Sequence, residues 1–165
     1  MPIEIANRCP AIRPDRAALR SLIRGILRME DRPATSVTLV IADDALLREL
    51  NRRFRKLDKT TDVLSFEPDP GDSPEDSMPG EIYVSMDRVR VQAPRYRHSP
   101  QRELARLVIH GTLHVLGHDH HREPHRSRMR SRERACERAL VARDAGLFKA
   151  AARGGSAARN KARVR

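Results

Sequence analysis

The chain has 165 residues, a net charge of +11, 39% apolar residues and 3% aromatic residues. This length and apolar content suit one domain with its own core and exclude a fibrous or wholly disordered chain. No apolar run approaches the ~18 residues that a membrane helix needs, and the N-terminus lacks a basic segment followed by an apolar one, so a cytoplasmic protein without membrane contact is expected.

The charge is unevenly placed. Residues 122–165 carry 14 Arg and Lys against 4 Asp and Glu, whereas the rest of the chain is nearly balanced. Such a strip attracts polyanions through counterion release, and it also suits a solvated helix face followed by a disordered basic tail. With no Trp and only Phe54, Phe66, Phe148, Tyr83 and Tyr96, nucleic acid would be met through phosphates and shape more than through base stacking. Cys9 and Cys136 form no CxxC pair and read as reduced packing residues.

In chain order, Pro14 and Asp15 open a helix with Leu19, Leu22, Ile23 and Ile26 on one face, ending near Asp31-Arg32-Pro33. Residues 36–41 are β-branched and read as a strand. Asp43 caps a second helix with Leu46, Leu47, Leu50 and Phe54 expected inward. Residues 61–66 return to strand character. Residues 67–79 hold five acids, four prolines and one glycine without a basic residue, and read as a mobile loop that either stands away from an RNA cleft or gates it. Residues 81–85 form another strand. Residues 87–97 fit either a short helix capped by Asp87 or an edge strand, with Pro94 interrupting both. Ser99-Pro100 is a helix start. A final helix is expected from Pro124 to Ala145, closed by Gly146, and residues 148–165 read as a basic disordered tail behind a domain spanning 1–147. The pattern suggests a single-domain α+β fold: a small mixed sheet of about four strands, about five helices, and a metal site on a central helix.

That helix carries His110-Gly111-Thr112-Leu113-His114-Val115-Leu116-Gly117-His118-Asp119-His120. A spacing of i, i+4 stacks His110 and His114 on one helix face, and Gly117 can take the left-handed conformation that ends the helix and turns His120 back toward them. Three neutral imidazoles make a zinc site with an open fourth position, although all-imidazole ligation also suits Ni, Cu or Fe. An uncompensated +2 charge acidifies bound water to a pKa of ~7 and polarises a phosphoryl or carbonyl oxygen. His118 could line this site or be an exposed turn residue; Asp119 reads as a turn former or as an acceptor orienting an imidazole; His98, His121 and His125 read as surface. The spacing matches the metzincin peptidase pattern H-E-x-x-H-x-x-G-x-x-H except that the catalytic glutamate is Gly111, which cannot move a proton. RNA cleavage asks less of the protein, because the substrate can bring its own 2′-OH.

The histidine run resembles the HGxLHLxGxDH signature of the YbeY family of bacterial rRNA maturation factors. Residues 50–66, with Leu50-Asn51-Arg52-Arg53-Phe54-Arg55 and Thr61-Asp62-Val63-Leu64-Ser65-Phe66, resemble its LNxxYRxxDxxTDVLSF block. Gly80-Glu81-Ile82 resembles its GDI, and Met129 and Glu133 its M-x3-E. The resemblance implies one zinc held by His110, His114 and His120, and catalytic roles for His114 and Arg55. It implies a single-strand-specific endoribonuclease of the cytoplasm, acting on small-subunit rRNA and in ribosome quality control, with RNA but not DNA as substrate. Ribosomal proteins and an assembly GTPase are candidate partners. Arg126, Arg130, Arg134 and Arg138 of the last helix are the candidate RNA contacts. A zinc peptidase and a non-catalytic ribosome assembly factor are the alternatives. Phe54 for Tyr, Glu81 for Asp, and Leu57-Asp58-Lys59-Thr60 for a stretch that often carries proline depart from the pattern, but no ligand does.

Overall fold

The computed structural model describes residues 2–71, 76–141 and 146–150. Among these residues six strands and five helices follow one another as β1 (Ile3–Asn7), β2 (Ile12–Pro14), α1 (Arg16–Met29), β3 (Val37–Ala42), α2 (Asp44–Arg55), β4 (Val63–Phe66), β5 (Gly80–Ser85), α3 (Met86–Arg95), α4 (Pro100–Val115), α5 (His125–Leu140) and β6 (Phe148–Ala150). Four strands make a mixed sheet in the order β1-β3-β5-β4, with β4 antiparallel to β5 and the other pairs parallel. The arrangement is the α+β class that the pattern suggested.

Strand β3 explains the layering. Side chains alternate across a strand, so Val37, Leu39 and Ile41 enter the main core, while Val40 and Ala42 enter a smaller one with Leu47 of α2 and Leu64 of β4. The main core joins Leu19, Ile23 and Ile26 of α1 to Leu104, Leu107 and Val108 of α4 over Ile82 and Val84 of β5. Helix α4 is the hub, packing against β4, β5, α1, α3 and α5.

Local signals account for the helix starts. Asp15, Asp43, Ser85 and Ser99 each accept a backbone N–H from the first helical turn, and Pro100 follows the last of them. The ambiguous stretch after β5 is a helix capped by Ser85 rather than Asp87, and the Asp87 carboxylate instead accepts the Asp44 N–H of α2 at 2.9 Å.

The molecule departs from its sequence pattern at several points. Phe54 is 54% exposed rather than inward, resting edge-on against Phe66 at the sheet's rim. Helix α5 ends at Leu140, so Gly146 does not close it, and residues 142–145 lie outside the described residues. Residues 3–7, too short a run to read as a strand alone, become β1 by pairing with β3. Phe148–Ala150, assigned above to the tail, pairs with β2, and residues 151–165 lie outside the described residues. Of the acidic stretch, residues 72–75 lie outside them too, and its two limbs are joined by a bridge between Asp69 and Met78.

Candidate metal centre

Helix α4 presents two dissimilar faces at one level. On one side Gly111 lies against the sheet so closely that a Cβ would sit 2.6 Å from Ile82 Cγ2 and 3.0 Å from Ser65 Oγ. From the adjoining face His110 and His114 project with ring centroids 4.6 Å apart. The glycine at the peptidase-base position is therefore a packing requirement as well as a missing carboxylate: a glutamate there would have to displace the helix from β4 and β5.

The helix ends as expected. Gly117 has φ +87°, its N–H reaches the His114 carbonyl, and the His118 N–H reaches that of Leu113. This paired closure reverses the chain and returns His120 to the first two histidines. His114 Nε2 and His120 Nδ1 lie 2.7 Å apart. One nitrogen from each of the three rings falls within 4.8 Å of the others.

The donor chemistry fits a metal ion. Burial first, and then the neighbouring His110 and His120, push the His114 imidazole down to about 4, so it is neutral with a free lone pair at neutral pH. Burial, with His110 beside it, lowers His120 as well. His110 Nδ1 lies 2.6 Å from the Glu133 carboxylate of α5, which leaves Nε2 as its free nitrogen and fixes the ring. Burial alone would raise the Glu133 carboxyl, but the hydrogen bond and charge of His110 hold it below the ordinary carboxylate value. The sequence marked Glu133 only as a motif match; its contact with His110 comes from helix α5 crossing α4, which no local signal encodes.

The loop after α4 is tied from a distance. Glu30, which caps α1 and has a side chain only 10% exposed, meets His118 Nε2 at 2.8 Å and accepts from Arg132 Nε at 2.6 Å. His118 thus joins three elements rather than standing as an exposed turn residue, though it also edges the cleft. Asp119 makes the turn by accepting the His121 N–H at 2.9 Å. The His121 ring leans on that of His120, with centroids 4.3 Å apart and planes tilted by 37°. His98 is not plain surface either: its Nδ1 lies 3.3 Å from the fully buried Glu103, which also pairs with Arg106.

A cleft of about 590 Å³ opens over the cluster, walled by Thr61, Asp62, Ser65 and Glu67 of the β4 region and by Arg55 at the end of α2. The structure therefore brings Arg55 into the same cavity as all three histidines, from a position 55 residues upstream of the first. The helix α5 arginines divide. Arg126 donates to the His120 and His121 carbonyls, and Arg126 and Arg130 line a second hollow beside the cluster. Arg134 and Arg138 are exposed and line neither cavity.

Fold and site together define an α+β protein with an open three-histidine centre between a buried helix and a mixed sheet. The family model described as Endoribonuclease YbeY matches residues 4–140, and the chain belongs to that family. It is 46% identical over 117 residues to the Endoribonuclease YbeY of Chloroflexus aggregans, covering 67% of this chain and 76% of that one. It is 50% identical over 95 residues to that of Desulfitobacterium hafniense (53% and 60%), and 38% identical over 131 residues to that of Pelotomaculum thermopropionicum (74% and 86%). Among solved structures, the solution structure of TM1509 from Thermotoga maritima shares the fold, with a TM-score of 0.53 and 24% identity over 82% of this chain and 89% of that one.

Proposed function

We propose that the chain is a zinc-dependent, single-strand-specific endoribonuclease of the cytoplasm that matures the 3′ end of small-subunit rRNA and serves ribosome quality control. The single observation that carries the metal-dependent chemistry is the cluster of three imidazoles, two of them held neutral, with Glu133 behind His110. Family membership and relatives named as endoribonucleases supply the substrate class.

His110, His114 and His120 would hold one zinc ion, which when bound supplies Lewis-acid stabilisation of phosphoryl charge and acidifies water. Glu133 fixes the tautomer and orientation of His110. Arg55 binds a phosphate through paired N–H donors and stabilises the charge that grows on it. Asp62, Glu67 and Asp119 on the cleft walls repel phosphates, which favours one phosphodiester placement, against Arg55 and the cluster. A peptidase reading is disfavoured because a base at position 111 would strike Ile82.

Protein freed of contaminating nucleases tests the reading on single-stranded and duplex RNA from the 3′ region of small-subunit rRNA. The wild type should cut the single strand. His114→Ala should lose activity by on the order of 10³-fold or more, and Arg55→Glu by on the order of 10²-fold. Equal cleavage by all three proteins sinks the assignment. Stripping the protein with a chelator and restoring single metals identifies the ion.

A further inference from the structure

The histidine cluster is open on two sides, and the two sides differ in charge. The cleft already described sets one arginine, Arg55, against three carboxylates, Asp62, Glu67 and Asp119. A second hollow of about 430 Å³ shares His110, His120 and His121 with it but is lined by Arg106, Arg126 and Arg130, with Glu133 as its only carboxylate among the described residues. That carboxylate already faces His110.

We infer that this second hollow is a phosphodiester-backbone subsite, so that an RNA strand crossing the cluster is gripped through its phosphates on one side of the scissile bond only. The inference rests on the nuclease reading above. The physical reason is the contrast in charge. A strand carries one negative charge per nucleotide, and the wall with three carboxylates disfavours continuous backbone, whereas the arginine-lined hollow attracts it. The volume lies within the ~300–1,000 Å³ range of ligand sites.

The three arginines are not equivalent. Arg106 is already held by Glu103, with its Nη2 2.7 Å from Oε1, and lies over the Tyr96 ring. Arg126 is engaged with the carbonyls of His120 and His121. Both keep their charge but have little freedom to move. Arg130, one helical turn beyond Arg126, forms no side-chain hydrogen bond or ion pair among the described residues, and its donors are free for a phosphate.

Labelled single-stranded RNA with one cleavage site, carrying three neutral methylphosphonate linkages either 5′ or 3′ of that site, tests the asymmetry. Neutral linkages on one side should raise KM about tenfold and on the other less than about twofold, with kcat little changed. Arg130→Glu should raise KM for unmodified RNA and abolish the difference between the two modified strands. Equal effects on both sides, or a difference that persists in Arg130→Glu, overturns the subsite. Anisotropy of unmodified RNA binding across a salt series separates this inference from the activity. The log Kd against log salt slope should fall by about one in Arg130→Glu. A protein that binds with this slope change but cuts no RNA sinks the nuclease reading and keeps the subsite. One that cuts RNA with an unchanged slope does the reverse.

Discussion

Helices α4 and α5 are both sixteen residues long and pack against each other, yet they are built on opposite plans. Ten residues of α4 are buried, including Gly111, and only two of α5, Met129 and Cys136. Helix α4 is held by apolar packing that leaves no room for a methyl group at Gly111. Helix α5 sets Met129 and Cys136 into the core and adds a few polar links, His110 to Glu133, Glu30 to Arg132 and Arg102 to Glu137, beside an otherwise solvated arginine face. A metal centre gains from this difference. Two of the three candidate ligands, His110 and His114, sit on the stiff helix and His120 on the loop that leaves it, while Glu133, which faces His110, sits on a helix whose other side is exposed.

The comparison can be broken at its polar seam first. Glu133→Ala should weaken metal affinity by about 10–100-fold with little change in folding, because it removes the carboxylate that orients His110. Competition with a chromophoric chelator would measure this, and an unchanged affinity would mean that α5 is only a cover.

A methyl group tests the packed side. Gly111→Ala should cost about 1–3 kcal/mol of stability, since its Cβ meets the stiff β-branched Ile82 and cannot be accommodated by a side-chain swing. Denaturant titration checks it; a neutral result would show that α4 is less tightly seated than its burial implies.

A smaller effect should follow from pH. His114 and His120 titrate below the ordinary imidazole value, so as pH falls the unfolded chain binds protons that the folded chain refuses. Metal-stripped protein should therefore keep its full stability above pH 6.5 and lose it progressively toward about 4, where His114 itself protonates. Thermal melts across that window should show a shallower decline in His114→Gln, and parallel curves for the two proteins would contradict the assignment.

The smallest effect belongs to the outer face of α5. Arg134→Ala should change stability by less than about 0.5 kcal/mol, since Arg134 is exposed and lines neither cavity. A larger loss would mean that this face is structural after all.

The sequence by itself determined the parts of the site that are local. Residues four apart on a helix share a face, and a glycine in the left-handed region reverses the chain, so His110, His114, Gly117 and His120 were legible as one cluster. Capping chemistry at Asp43 and Ser99, and the apolar periodicity of α1 and α4, were legible for the same reason. Strand β1 was not, because five residues become a strand only when a partner supplies the other half of their hydrogen bonds. Nor was the inward reading of Phe54 sound, since helix periodicity says which residues share a face but not how far the opposing sheet extends. The tertiary structure alone decided what surrounds the histidines. It set Glu133 behind His110, tied His118 to Glu30, and carried Arg55 into the cleft. It also seated Gly111 on the sheet. Those relations join residues far apart in the chain, and they depend on how helices cross and strands order themselves, which burial of the whole core sets and no short spacing records.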